Sequence, residues 1–417
     1  MESRSGGQRR VGVAIVGLGG AVATTAVAGI ELLRLGGAGP EGLPLASARP
    51  ELTSQLADYE DLVFCGWDLS PDDLLRAAQI HDVLSPAQLE VAAPALERIV
   101  PWPAVGNAAF CHNILGSHLL AAESHRAVVD VVQGDLRRFR EEQRLDSTVV
   151  INLASTEGRG DPTLPIFATL EAFEAALDAD APEIGPAMLY AYAALMAGVP
   201  YANFTPSVAA EVPALVALAE RHGVPIAGKD GKTGQTMIKT VLAPAFRTRA
   251  LRVDGWYSAN ILGNRDGLAL DDDDALASKR VTKGSVLDQI LGYPVEDHLV
   301  DIRYYRPRGD NKESWDNIDL TGFLGRPMQL KINFLCRDSI LAAPLVIELA
   351  RLLDLARRRG NRGVQEQLGL FFKLPMTARP DAIPEHALHA QERRLFEWLE
   401  TAHTDETGRR VGEPGGT

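Results

Sequence analysis

An α/β fold, a doubly wound parallel sheet with a smaller α+β unit inserted, is what these 417 residues predict on three observations. A glycine-rich turn joins a short apolar run to a small-residue helix near the N-terminus. Helices then alternate with short apolar runs as far as residue 227, and after Met237 the runs become longer and richer in aromatic residues. Short, wholly apolar strands alternating with helices indicate a parallel sheet covered on both faces.

Taken in order, residues 11–16 (Val-Gly-Val-Ala-Ile-Val) read as a buried strand and residues 21–35 as a helix. A second strand is expected at 62–65, ending in Gly66-Trp67-Asp68, and a third at 148–153, ending in Ala154-Ser155-Thr156-Glu157. Residues 188–227 then carry one unit twice: a helix, a Gly-Val-Pro tripeptide and a strand, with strands at 201–204 and 225–227. The runs at 251–259, 299–305 and 328–334 predict an antiparallel or mixed second sheet. Residues 338–359 predict a strongly amphipathic helix whose terminal arginines complement its dipole. The resulting division is 1–236 for a Rossmann-like doubly wound domain, 237–340 for the inserted α+β domain, and 341–417 for helices returning to the first. A disordered polar tail is expected from about residue 405.

Composition narrows the function. With 46% hydrophobic and 23% charged residues the chain is an ordinary globular protein. Its net charge of -13 argues against nucleic acid as a partner. Cys65, Cys111 and Cys336 are odd in number and without metal-ligand spacing, which fits a reducing, cytoplasmic setting. Arg4, Arg9 and Arg10 before an apolar run imitate a signal peptide, but the glycines within that run favour a strand and its turn. No stretch is long and apolar enough to span a bilayer. His386 and His389 read as a solvated helix face, and His112, His118 and His125 lack ligand spacing. The run 271–274 of four aspartates reads as a solvated loop.

Lysine usage is the sharper signal. Eight lysines stand against thirty-four arginines, and all eight fall between Lys229 and Lys373. Arginine stays protonated, whereas a lysine ammonium lowers its pKa on burial and can exchange protons, so the clustering suggests chemistry. At the other end of the chain Gly17, Gly19, Gly20, Ala21 and Val22 lie between strand and helix, as a dinucleotide fingerprint requires, although Val22 replaces the third glycine. Asp68, ending the second strand, is the candidate for the adenosine ribose. The segment Asp230-Gly231-Lys232-Thr233-Gly234-Gln235-Thr236 precedes a helix, so its amides and hydroxyls can surround an anion. Lys279 and Lys283, four apart, would project from one helix face and repel unless an anion sits between them.

Together these segments resemble the inositol-phosphate synthase family over nearly the whole chain, most of all its archaeal and bacterial branch. The resembling stretches are Gly-Leu-Gly-Gly-Ala-Val-Ala-Thr-Thr from Gly17, Ala-Ser-Thr-Glu from Ala154, Tyr-Ala-Asn-Phe-Thr-Pro-Ser from Tyr201 and the segment from Asp230. Asn-Ile-Leu-Gly-Asn-Arg-Asp-Gly from Asn260, Ser-Lys-Arg-Val-Thr-Lys from Ser278, Asp310-Asn311-Lys312, the stretch opening at Asp338 and Phe-Phe-Lys-Leu-Pro from Phe371 complete the set.

The resemblance implies that glucose 6-phosphate is oxidised at C5 by tightly held NAD, enolised, closed by an intramolecular aldol step and reduced again. It implies that Lys279 with Asp230 handles the proton at the oxidised carbon and that Lys373 faces the same oxygen. Lys283 and Lys312 would meet the phosphate and the C1 carbonyl, with Thr233, Gly234, Gln235 and Thr236 cradling the phosphate. NAD would be held by Gly17, Gly19, Gly20, Ala21, Val22, Asp68, Ala154, Ser155, Thr156, Thr205 and Asp230, with Asn264 and Asp266 at the nicotinamide. Whether a divalent or monovalent cation assists is left open by the sequence, although Asp230 and Asp266 could hold one near the cofactor phosphates, and the family resemblance implies a homotetramer.

Lys229, beside Asp230, and Arg337, before Asp338, depart from the family pattern. They leave open a relative that cyclises another hexose phosphate, for example fructose 6-phosphate to a five-membered cyclitol phosphate. An ordinary NAD-dependent dehydrogenase and a non-catalytic NAD-binding regulator are the rival readings.

Overall fold

The computed structural model describes residues 9–111, 116–158, 160–263, 286–379 and 381–401. Strand β1 (Val11–Val16) is buried at every position. Val11, Val13 and Ile15 enter one hydrophobic cluster while Ala14 and Val16 enter the other, the two-sided burial expected of a central parallel strand. The chain continues through α1 (Ala21–Arg34), α2 (Pro50–Thr53), β2 (Leu62–Asp68), α3 (Leu74–His81), α4 (Pro86–Leu96) and β3 (Trp102–Pro103). It then crosses back through α5 (His125–Glu142), β4 (Ser147–Asn152), α6 (Leu170–Asp178), α7 (Pro186–Met196), β5 (Tyr201–Asn203), α8 (Pro213–His222) and β6 (Pro225–Gly228).

These strands and a late one, β11 (Gly363–Val364), form a seven-stranded sheet in the order β11-β6-β5-β4-β1-β2-β3. Every described pairing in it is parallel. The order reverses between β1 and β4, where an open α/β sheet forms its ligand crevice. The doubly wound sheet read from the sequence is the one the chain forms.

The second sheet follows α9 (Gln235–Thr248) and comprises β7 (Arg252–Leu262), β8 (Asp297–Tyr304), β9 (Asn311–Thr321) and β10 (Pro327–Arg337) in the order β10-β9-β7-β8. It is mixed: β9 runs antiparallel to both neighbours and β8 parallel to β7. Sequence periodicity does not single out β9 because its inward positions are polar in the first half and apolar in the second: Ser314, Asp316, Ile318 and Leu320 are all buried. Asp316 is satisfied there by Trp256 Nε1 and Ser258 Oγ, each at 2.7 Å.

Helix α10 (Asp338–Arg358) forms where a helix is expected but is not strongly amphipathic, being buried on every side over residues 346–356. Its charged residues are tolerated because each is paired, within the helix or with a remote segment. Arg351 meets Glu348 at 2.7 Å, and Asp354 takes Arg9 at 2.7 Å and Arg358 at 2.9 Å. After β11 the chain ends, among the described residues, in α11 (Leu388–Thr401). His386, just before α11, is not solvated as expected: it is 4% exposed, bonded to Gln289 Oε1 at 2.7 Å and pushed down to about 4 by burial. The aspartate run 271–274 and the tail beyond residue 401 lie outside the described residues. No helix among the described residues is long and apolar enough to cross a membrane.

Candidate active site

One end of the crevice is made by backbone. Gly17 holds a φ of +85°, and a Cβ there would stand 3.0 Å from the backbone of Ala154, so the turn needs glycine. Gly20 caps α1 without a side chain. The first helical amides, of Ala21, Val22 and Ala23, therefore have no hydrogen-bond partner among the described residues and line the cleft. Such a terminus suits a pyrophosphate, which is the fit that an NAD site requires. Asp68, at the end of β2, accepts hydrogen bonds from the Gly19 amide at 2.8 Å and the Ser70 amide at 2.9 Å. It thus fixes the glycine turn and also lines the cleft.

The ends of β4 and β5 supply the middle. Buried Asn152 accepts from the Ala154 amide at 3.1 Å, and Asn203 accepts from the Thr205 amide at 3.1 Å and hydroxyl at 2.8 Å. These turns present Ala154, Ser155, Thr156 and Thr205 along the cleft wall.

The far end holds the charged groups. Residues 228–232 and 371–376 are laced together by backbone hydrogen bonds, among them Lys373 N–H to the Asp230 carbonyl at 2.7 Å and Lys229 N–H to the Leu374 carbonyl at 2.7 Å. That lacing brings two residues 143 apart in sequence into contact: Lys373 Nζ donates to Asp230 Oδ1 at 2.6 Å. The other Asp230 oxygen, Oδ2, is buried without a partner among the described residues. Beside this pair, Lys312 on β9 meets Asp338 at 3.3 Å, and Thr233 Oγ1 donates to the same carboxylate at 3.0 Å. Asp230, Thr233, Lys312, Asp338 and Lys373 line one cavity of about 550 Å³ with the glycine turn. Asp338 is absent from the candidates drawn from sequence; its position at the first turn of a helix directly after a strand was the available signal.

Lys279, Lys283, Asn264 and Asp266 fall within 264–285, outside the described residues. The Gln235 side chain turns into the second sheet, donating to Asp316 at 3.2 Å and accepting from Asn260, so its backbone amide is what it can offer an anion. Gly234 caps α9 without a side chain, and Thr236 is 4% exposed. Lys232 donates to Gln391 and, 4% exposed, is pushed down to about 7 by burial. Lys239 lies 2.6 Å from His298 and is pushed down to about 8 by burial. Lys229 pairs with Glu211, and Arg337 donates to the Val83 carbonyl at 2.6 Å. No group of three metal-ligating side chains occurs among the described residues.

Comparison with known proteins bears on this geometry. The profile of an NAD-binding family described as myo-inositol-1-phosphate synthase matches residues 51–400. Inositol-3-phosphate synthase 1 of Bacteroides thetaiotaomicron is 42% identical over 408 residues, covering 94% of this chain and 95% of its own. Inositol-3-phosphate synthase 1 of Oryza sativa subsp. japonica is 33% identical across 73% of this chain but 61% of its own length. The crystal structure of inositol-3-phosphate synthase from Caenorhabditis elegans superposes with a TM-score of 0.88 at 26% identity, covering 99% of this chain and 90% of that one.

Proposed function

The chain belongs to the myo-inositol-1-phosphate synthase family, and on that premise we propose that it cyclises glucose 6-phosphate to 1D-myo-inositol 3-phosphate with NAD. The steps are oxidation, enolisation, intramolecular aldol closure and re-reduction. Bound NAD supplies the hydride acceptor for the first step and returns the hydride in the last. The observation that carries the reading is a single cleft running from the uncapped start of α1 to two lysine–carboxylate pairs, Lys373 with Asp230 and Lys312 with Asp338.

Negative charge builds on oxygen when C5 is oxidised and when C6 is enolised, and fixed ammonium groups lower both barriers. Lys373 is assigned to the C5 oxygen, with Asp230 holding it in place and Oδ2 left to take a proton. Lys312, Thr233 and the amides of Gly234, Gln235 and Thr236 are assigned to the phosphate and the C1 carbonyl. Lys279 and Lys283 are assigned to the proton at C5 and to the phosphate, and Asn264 and Asp266 to the nicotinamide. Gly17, Gly19, Gly20, Ala21, Val22, Asp68, Ala154, Ser155, Thr156 and Thr205 are assigned to the remainder of the dinucleotide. For an assisting cation, Asp230 is the expected carboxylate among the described residues.

We also propose the division 1–236, 237–340 and 341–417, which is supported by the confinement of β7–β10 to residues 252–337 and by the return of β11 to the first sheet. A homotetramer is proposed, with copies meeting on the outer face of the second sheet. That face exposes Tyr257, Leu299, Trp315 and Leu335, at 43%, 57%, 46% and 62%. Light scattering at four times the chain mass tests it.

Purified protein incubated with NAD and either glucose 6-phosphate or fructose 6-phosphate, with the product identified by NMR and mass, decides the function. A six-membered cyclitol phosphate from glucose 6-phosphate, without net NADH, is expected. Accumulating NADH would favour a simple dehydrogenase, and a five-membered ring from fructose 6-phosphate a different cyclase. Lys229 and Arg337 both engage partners other than the lysine–carboxylate pairs, which weakens the case for altered substrate choice.

A further inference from the structure

Glu157 closes the Ala-Ser-Thr-Glu stretch that leaves β4, and no step set out above uses it. It is 9% exposed and lines the cleft. Its Oε1 accepts the Ala187 amide at 2.8 Å, in the first turn of α7, where Gly185 provides no capping side chain. Its Oε2 accepts no hydrogen bond among the described residues, yet it is not sealed away from the cleft. Gly185 makes the room: a Cβ there would stand 2.7 Å from Oε2 and 2.8 Å from the Phe110 ring. Burial, reinforced by the Glu211 charge, pushes the carboxyl up to about 8, so at neutral pH it carries a proton.

A carboxyl fixed through one oxygen, with the other facing the cleft, is placed to hydrogen-bond a ligand lying there. Topology says which part of the ligand it meets. Asp68 follows β2 on the adenosine side, the glycine turn lies at the pyrophosphate, and Glu157 follows β4 across the switch point. A dinucleotide lying across that point brings its nicotinamide half to Glu157, and the hydroxyls nearest the pyrophosphate there belong to the second ribose.

We propose that Glu157 Oε2 hydrogen-bonds a hydroxyl of the nicotinamide-side ribose of bound NAD, making Glu157 a cofactor-binding residue. This rests on the NAD reading given above. The test is calorimetric binding of NAD, ADP-ribose and ADP to the full chain; ADP-ribose carries the second ribose and ADP does not. Glu157→Leu loses about tenfold in affinity for NAD and ADP-ribose and less than about twofold for ADP. Glu157→Gln keeps an oxygen for Ala187 and places an N–H donor at the position of Oε2, so it stays within about threefold of wild type for all three.

Should the leucine variant be recovered unfolded, Gly185→Ala moves the same oxygen. Its φ of -81° accepts alanine without strain, and the same selective loss is expected. Equal losses for all three ligands, or no loss for ADP-ribose, would overturn the proposal. A wild-type chain that binds neither NAD nor ADP-ribose would overturn the cofactor reading and this proposal with it.

Discussion

Replacing Lys373 by Met removes the ammonium that meets Asp230 at 2.6 Å and leaves a carboxylate whose side chain is 5% exposed. Asp230 Oδ2 already lacks a partner, so neither oxygen would then have one among the described residues. Breaking a buried pair from one side costs about 3–5 kcal/mol. Met keeps most of the stem packing and the carboxyl can take up a proton, so the lower end, about 3 kcal/mol, is expected in denaturant unfolding. The effect on turnover is separate. An ammonium aimed at a developing oxyanion contributes like an oxyanion-hole donor, so kcat should fall by about 10²–10³-fold. Cyclitol phosphate formed from glucose 6-phosphate is followed by phosphorus NMR, and NAD affinity by calorimetry, which should stay within about threefold of wild type. Adding Asp230→Asn should restore most of the stability, because the stranded charge is gone, while activity stays absent. Turnover by Lys373→Met within about threefold of wild type, or a loss of NAD binding in step with turnover, would refute the assignment of Lys373 to the reacting oxygen.

The other expectations follow the same logic. Lys312→Met removes a charged contact of about 1.5–3 kcal/mol, so KM for the sugar phosphate should rise about 10–100-fold with a smaller change in kcat, measured by steady-state kinetics. Gly17→Ala forces a φ of +85° on an L-residue at about 1–2 kcal/mol and meets the Ala154 backbone at 3.0 Å. It should weaken NAD at least about tenfold, whereas Gly36→Ala, with φ +68° and open space around it, should leave NAD affinity unchanged. Lys232 is pushed down from 10.5 to about 7, so between those values the unfolded chain binds more protons than the folded one, and stability should rise with pH across that window. Lys232→Met should flatten this rise, which approaches about 1.4 kcal/mol per pH unit at its steepest, in unfolding titrations from pH 6 to 10.

Strands that carry their burial in their composition were legible in the sequence. β1, β4, β5 and β6 are short and apolar because both faces are covered, and the glycine turn is legible because close backbone approach needs glycine. β9 was not, because its inward side chains include Ser314 and Asp316, whose burial depends on remote partners: Trp256, Ser258 and Gln235 donate to Asp316, and Ser314 donates to Asn260. The character of α10 was hidden for a similar reason. Glu348, Arg351 and Asp354 look like a solvated stripe until Tyr59, Ser147 and Arg9 come from remote segments to meet them. The site followed the same rule: Asp230 and Lys373 were visible singly, but their contact depends on backbone lacing between segments 143 residues apart.

The confinement of lysine to one part of the chain divides, in three dimensions, into two uses. Lys312 and Lys373 line the cleft and face carboxylates there. Lys232 and Lys239 are buried without a carboxylate in contact among the described residues, the first donating to Gln391 and the second 2.6 Å from His298 and over the Trp256 ring. Lys232 is two residues beyond Asp230, yet the lining of the cleft includes Gly231 and Thr233 and not Lys232. The loop therefore turns its carboxylate toward the cavity and its ammonium toward α11. Several arginines, besides pairing with carboxylates, tie remote segments by their carbonyls: Arg34 reaches those of Glu60 and Leu62, Arg351 that of Ala57, and Arg359 that of Trp398. A fork with several fixed donors suits backbone carbonyls, and a compact ammonium suits a proton-exchanging pair or a tight interior. Residue choice alone therefore does not mark the site: Lys229, Lys232 and Lys239 lie off the cleft lining, and which lysines reach it is decided by the direction of the loop.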